Sequence, residues 1–147
     1  MAATSKRKAQ PTLIHGIKPY KPKKAEEYMG RPQLAHFRAI LDAWRGELFD
    51  ETSRTVNALQ DETVNHPDPN DRASQETDMS LQLRNRDRER KLLKKIGETI
   101  VLLEGGDYGF CENCGVEIGI QRLEARPTAT LCIDCKTLDE IREKQMA

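Results

Sequence analysis

A mainly α-helical chain is predicted: a long antiparallel coiled-coil hairpin on a small cysteine-built base, closed by a C-terminal helix. Three observations carry this. Apolar residues recur at spacings of three and four over two long stretches. A proline-rich break separates the stretches. All four cysteines fall in two pairs near the C-terminus, Cys111-x2-Cys114 and Cys132-x2-Cys135, with seventeen residues between the pairs.

Residues 1–32 read as a partly irregular N-terminal segment expected to pack on the base. Ser5-Lys6-Arg7-Lys8 is polar and basic, and the two prolines in Ile17-Lys18-Pro19-Tyr20-Lys21-Pro22-Lys23-Lys24 forbid a continuous helix. The hairpin occupies residues 33–106. Pro32 suits a first helical turn. Leu34, Phe37, Leu41, Trp44 and Leu48 then form a heptad-like seam that drifts to Val56, Leu59 and Thr63. This predicts a first helix to about Asn65, roughly 50 Å long at 1.5 Å per residue. His66-Pro67-Asp68-Pro69-Asn70-Asp71 is a break, which places the hairpin tip near 66–73.

The second helix follows Met79, Leu83, Leu93, Ile96, Ile100 and Leu103, with Arg86 and Arg90 in the seam between Leu83 and Leu93. It is about as long as the first, so the two can pair antiparallel. Gly105-Gly106 stops it. Arg84 to Lys91 alternates in sign, the pattern of a solvated helix face with local ion pairs. Residues 107–135 form the cysteine module, and residues 136–147 belong to a closing helix. That helix runs from Ile133 to about Gln145, with Leu138 and Ile141 expected to face inward.

The cysteine spacing is that of a two-knuckle metal site. Each pair brings two thiolates together, and the intervening chain turns back to complete a tetrahedron, the arrangement Zn²⁺ prefers. With four protein ligands no position stays open for water, so one structural zinc is expected on Cys111, Cys114, Cys132 and Cys135. Two disulfides are the alternative. The chain shows no apolar N-terminal signal region, which predicts a reducing, cytoplasmic setting where disulfides are rare. A redox dithiol is a further alternative, but it calls for a βαβ context that the pattern lacks.

Composition narrows the function classes. Charged residues make up 33% of the 147 residues and aromatics 5%, too polar a mixture for one large core. Lys plus Arg and Asp plus Glu both number 24, so the formal net charge is zero. Nucleic-acid binders normally carry a basic excess, so this balance argues against DNA as the main partner. No apolar run is long enough to span a membrane. No phosphate-cradling glycine loop, paired-histidine motif or nucleophile elbow is present, and no enzyme activity is expected.

Asp68-Pro69-Asn70-Asp71-Arg72-Ala73, Leu83 to Lys91, Tyr108 to Gly115 and Gly119 to Met146 together resemble the DksA/TraR family, as does Glu26-Glu27-Tyr28-Met29. The resemblance covers roughly residues 17–147. The family's tip pattern is Asp-x-x-Asp-x-Ala, which Asp68, Asp71 and Ala73 fit. It implies a regulator that binds RNA polymerase through the secondary channel and brings this tip toward the catalytic region. Open promoter complexes are thereby altered, rRNA-type promoters fall and some biosynthetic promoters rise. It also implies enhancement by (p)ppGpp at the polymerase interface in the stringent response, with Lys95, Arg126 and Lys136 as the matching phosphate-binding positions. Read physically, Asp68 or Asp71 is equally suited to capping the second helix, and a lone lysine to plain surface charge. A DNA-binding zinc-finger factor and a thiol oxidoreductase are the rival functions.

Overall fold

The computed structural model describes residues 12–61 and 68–146. Four helices follow in order: α1 (Arg31–Asp61), α2 (Pro69–Glu104), α3 (Ile120–Ala125) and α4 (Ile133–Met146). Helices α1 and α2 pack against each other as the hairpin. The predicted continuation of α1 through Thr63 to Asn65, the residues His66 and Pro67, and the basic run at 5–8 lie outside the described residues, as does the side chain of Leu59.

The ends of α2 have local causes. Asp68 is its N-cap, in extended backbone, with a side-chain oxygen accepting the Asn70 N–H at 3.0 Å. Pro69 follows where a missing N–H costs nothing. At the other end Gly106 has φ +82°, and the Asp107 and Gly106 N–H groups donate to the Leu102 and Leu103 carbonyls at 3.0 and 3.4 Å. This is a Schellman turn, which needs a residue free to adopt left-handed backbone.

The core sits at the base. Phe37, Ile40, Leu41 and Leu48 of α1 meet Ile96, Ile100 and Leu103 of α2, with Met29, Tyr108, Ile118 and Leu123 closing the end. Farther out, the seam of α2 continues at heptad spacing through Glu89, Arg86 and Gln82, all partly buried. Thr52 of α1 donates its hydroxyl to Glu89 at 3.1 Å, and the buried Gln82 carboxamide oxygen has no hydrogen-bond partner among the described residues.

Several expected core positions therefore fall elsewhere. Leu83 is 53% exposed and Met79 37%, because the apolar stripe that includes Leu93 does not extend outward through Leu83. Arg90 is exposed and pairs with Asp87 at 3.1 Å, leaving the seam to Glu89. Leu138 and Ile141 do not face inward. They are 54% and 47% exposed, and α4 buries no residue. The cysteine pair at its start anchors that helix, so no apolar face is required.

The segment ahead of α1 lies along the base. Ile14 and Ile17 exchange two backbone hydrogen bonds around a His15-Gly16 turn, in which both central residues have positive φ. The His15 ring stacks on Trp44 at 5.2 Å and bonds Glu47 at 2.8 Å. Tyr20 donates its backbone N–H to Glu124 at 2.7 Å and its hydroxyl to Glu26. Glu26 also accepts the Lys23 N–H, and these bonds hold its carboxyl below the usual range. Tyr28 spans to the cysteine module, its hydroxyl donating to the Gly109 carbonyl at 2.8 Å and accepting the Gly119 N–H at 3.0 Å.

Candidate metal centre, hairpin tip and cationic cleft

Two tight turns build the metal centre. In the first, Gly115 takes φ +74° and donates to the Cys111 carbonyl at 2.9 Å, while the Cys111 N–H reaches back to Val116. The second lies at the start of α4, where the Lys136 N–H donates to the Cys132 carbonyl at 3.0 Å and the Cys135 N–H points at the Cys132 sulfur. The Glu112 N–H donates to the Thr130 carbonyl at 2.9 Å and ties the two knuckles together.

All four sulfurs lie within 4.8 Å of one another, and Cys114 and Cys132 are 3.6 Å apart. Sulfurs about 2.3 Å from a tetrahedral zinc stand about 3.8 Å apart, so the cluster fits that ion. Backbone N–H groups, that of Cys132 foremost, favour a thiolate at Cys111 and lower its pKa to about 6. Contact with the neighbouring sulfurs, that of Cys132 first, pushes the Cys135 thiol up. A divalent cation relieves that crowding by binding all four as thiolates. Cys111 and Cys132 are buried, so the metal also staples the module's interior.

The described residues of the tip, 68–73, are all exposed, with Asp68 at the cap of α2, Asp71 in its first turn and Ala73 at the start of its second. The capping alternatives separate here. Asp68 is the cap, and Asp71 stands in the first helical turn, where its charge suits the helix dipole.

Lys95 on α2, Arg126 after α3 and Lys136 on α4 come together. They line one cleft of about 110 Å³, and Arg122 joins them. Arg122 is a member of the group that sequence reasoning missed. Its Nε donates to the Leu131 carbonyl at 3.1 Å, which fixes the loop forming one wall. The signal was its four-residue spacing from Arg126, legible only once a helix over 120–125 is known. Lys136 also lies 3.9 Å from Glu140, a loose exposed pair.

The chain is similar to two described families along most of its length. Residues 33–103 match "DnaK suppressor protein DksA, N-terminal domain", and residues 106–140 match "Prokaryotic dksA/traR C4-type zinc finger". It is 67% identical over 134 residues to the RNA polymerase-binding transcription factor DksA of Escherichia coli strain K12, covering 91% of this chain and 89% of that one. Identity to the protein of the same name from Haemophilus influenzae is 64%, covering 91% and 92%. Among solved structures, transcription factor DksA2 from Pseudomonas aeruginosa superposes with a TM-score of 0.76 at 41% identity, covering 84% of this chain and 94% of that chain. The four-cysteine cluster thus coincides with a C4-type zinc finger, and the cofactor is one structural Zn²⁺.

Proposed function

The chain belongs to the DksA/TraR family, and on that footing we propose that it regulates transcription by binding RNA polymerase. The observation that carries this reading is its 67% identity, across nearly the whole length, to a protein named for that binding.

The hairpin is the working part. Helix α2 has 36 residues, so it reaches about 54 Å at 1.5 Å per residue. The base alone needs no such length. The hairpin enters the polymerase secondary channel and carries Asp68, Asp71 and Ala73 toward the catalytic region. Carboxylates there repel or hydrogen-bond groups around a metal-dependent active site, and open-complex stability changes. Repression of rRNA-type promoters and activation of some biosynthetic promoters follow. Zinc holds the base shut and gives the hairpin a fixed aim.

Lys95, Arg126 and Lys136 serve (p)ppGpp at the polymerase interface, which places the protein in the stringent response. Their shared cleft supports this reading, because a polyphosphate needs several converging cations. The protein works in the cytoplasm, is not an enzyme and does not read DNA sequence. Its zero formal net charge favours a protein partner over duplex DNA. Among the described residues no helix is long and apolar enough to cross a membrane.

The test is direct binding. Zinc-loaded protein is expected to co-elute with RNA polymerase and to leave the mobility of free promoter duplex unchanged at moderate salt. A salt-sensitive shift of free duplex, with no polymerase binding, would favour the DNA-binding zinc-finger alternative.

A further inference from the structure

A run of lysines ahead of α1 belongs to neither the hairpin, the tip nor the cationic cleft. Lys18, Lys21, Lys23 and Lys24 follow closely in the chain, and all four are exposed. None of them makes an ion pair among the described residues. Glu26 turns back to accept the Tyr20 hydroxyl and the Lys23 N–H, so it offsets part of the charge beside Lys23. Glu27 is the one exposed carboxylate between Lys18 and Gly30. A chain with zero formal net charge thus gathers cations on one short segment.

The backbone beneath these charges is held. Pro19 and Pro22 fix their own φ, and each biases the lysine before it toward extended backbone. Such a chain rises about 3.1 Å per residue and repeats every three, so Lys18 and Lys21 return to one face roughly 9 Å apart. Ile14 and Ile17 close a turn below them, and His15 in that turn stacks on Trp44. The Tyr20 N–H is tied to Glu124 at 2.7 Å. The cations are therefore presented in place, with little backbone ordering left to lose on binding.

We propose that this lysine run is a steering surface for an acidic face of RNA polymerase, speeding encounter without prolonging the complex. The inference rests on the polymerase-binding reading. All four cations are lysine, and an ammonium is a compact, strongly hydrated point charge that attracts at a distance and lacks the planar fork of arginine. Lysine is depleted in interface cores, and charges at an interface rim act mainly on the association rate. A nucleic acid fits less well. Tyr20, the aromatic residue of the run, spends its N–H on Glu124 and its hydroxyl on Glu26 and lies against His36 at 5.2 Å, so no ring is free to stack a base. Duplex DNA calls for a basic excess that the whole chain lacks.

The experiment measures association and dissociation rates of the zinc-loaded full chain with RNA polymerase. Salt is set at about 0.1 M and about 1 M, where the Debye length falls from roughly 10 Å to 3 Å. The K18Q/K21Q/K23Q/K24Q variant is expected to associate about five- to tenfold more slowly than wild type at the lower salt and within about twofold of it at the higher. Its dissociation rate is expected to stay within about twofold of wild type at both. The K18R/K21R/K23R/K24R variant keeps the charge and is expected to keep the wild-type rates. The four side chains are exposed, so neither variant disturbs the core, and circular dichroism and zinc content check this. Equal association rates for wild type and the glutamine variant at the lower salt overturn the inference. So does a glutamine variant whose loss lies in faster dissociation, because the lysines then hold the complex and do not steer it. A shift of free duplex by the wild type at the lower salt that the glutamine variant loses also overturns it, in favour of a nucleic-acid contact. A wild type that fails to bind polymerase at either salt would instead remove the reading beneath it.

Discussion

Gly109→Ala is expected to be among the most damaging small substitutions in the base. Gly109 has φ +93°, where an L side chain is strained by roughly 1–2 kcal/mol. A Cβ there would also stand 2.7 Å from Met29 Cγ and 3.1 Å from its Sδ and Cε. Met29 is buried, so its side chain has to move within a packed core, a further cost of about 1–3 kcal/mol. The Gly109 carbonyl accepts from both the Ile118 N–H and the Tyr28 hydroxyl, so the shift is felt where the N-terminal segment meets the zinc module. Together the loss is about 2–5 kcal/mol, or a fall of roughly 4–20 °C in Tm for a chain of this size. Scanning calorimetry of zinc-loaded protein measures it. A double-mutant cycle with Met29→Ala isolates the steric part, because removing the Met29 side chain removes the clash and leaves the backbone strain. A Gly109→Ala protein within 0.5 kcal/mol of wild type, or strictly additive effects in the cycle, would refute the reasoning.

Two further outcomes concern the metal and the cleft. Freshly purified, reduced protein is expected to hold one zinc per chain. Chelation should loosen the base while far-ultraviolet circular dichroism keeps most of the helix signal, since the hairpin core of Phe37, Leu41, Ile96 and Ile100 needs no ligand. Much less than one zinc per chain would contradict this. Lys95→Ala, Arg126→Ala and Lys136→Ala should each reduce (p)ppGpp enhancement of the effect on open-complex lifetime more than the basal effect. Loss of a partly desolvated charged hydrogen bond costs about 1.5–3 kcal/mol, roughly a ten- to hundredfold weaker site. Lys6→Ala is the control and should behave as wild type, and three mutants with an intact enhancement ratio would place the ligand elsewhere.

What the sequence made legible follows physical rules. The cysteine spacing announced a metal centre because the ligands of a knuckle are local. Phe37, Leu41, Leu48, Ile96, Ile100 and Leu103 announced the hairpin because a buried stripe has to repeat every three or four residues. The rule weakened where burial is polar. Past Leu93 the seam passes through Glu89, Arg86 and Gln82, and hydrophobicity pointed instead to exposed Leu83. Helix α3 was missed because six residues are too few for a period, and it starts at Gly119 without a side-chain cap. Leu138 and Ile141 misled because α4 is held at its cysteine end and needs no buried face. The contacts of His15 with Trp44 and Glu47 had no sequence signal, since 29 and 32 residues separate the partners. The tip and cationic residues came from family resemblance. The structure adds that the three cations share a cleft and that Arg122 lies among them.

The central claim is that the coiled coil and base dock and the acidic tip acts. Asp71→Asn tests it most directly, because Asp68 supplies the helix cap and Asp71 adds only a first-turn charge, worth about 0.3–1 kcal/mol. The measurement is open-complex lifetime at an rRNA-type promoter, beside polymerase binding by the same protein. The expected result is wild-type binding and near-wild-type stability, with most of the shortening of lifetime lost. Full regulatory activity in Asp71→Asn, or loss of polymerase binding along with it, would contradict the account.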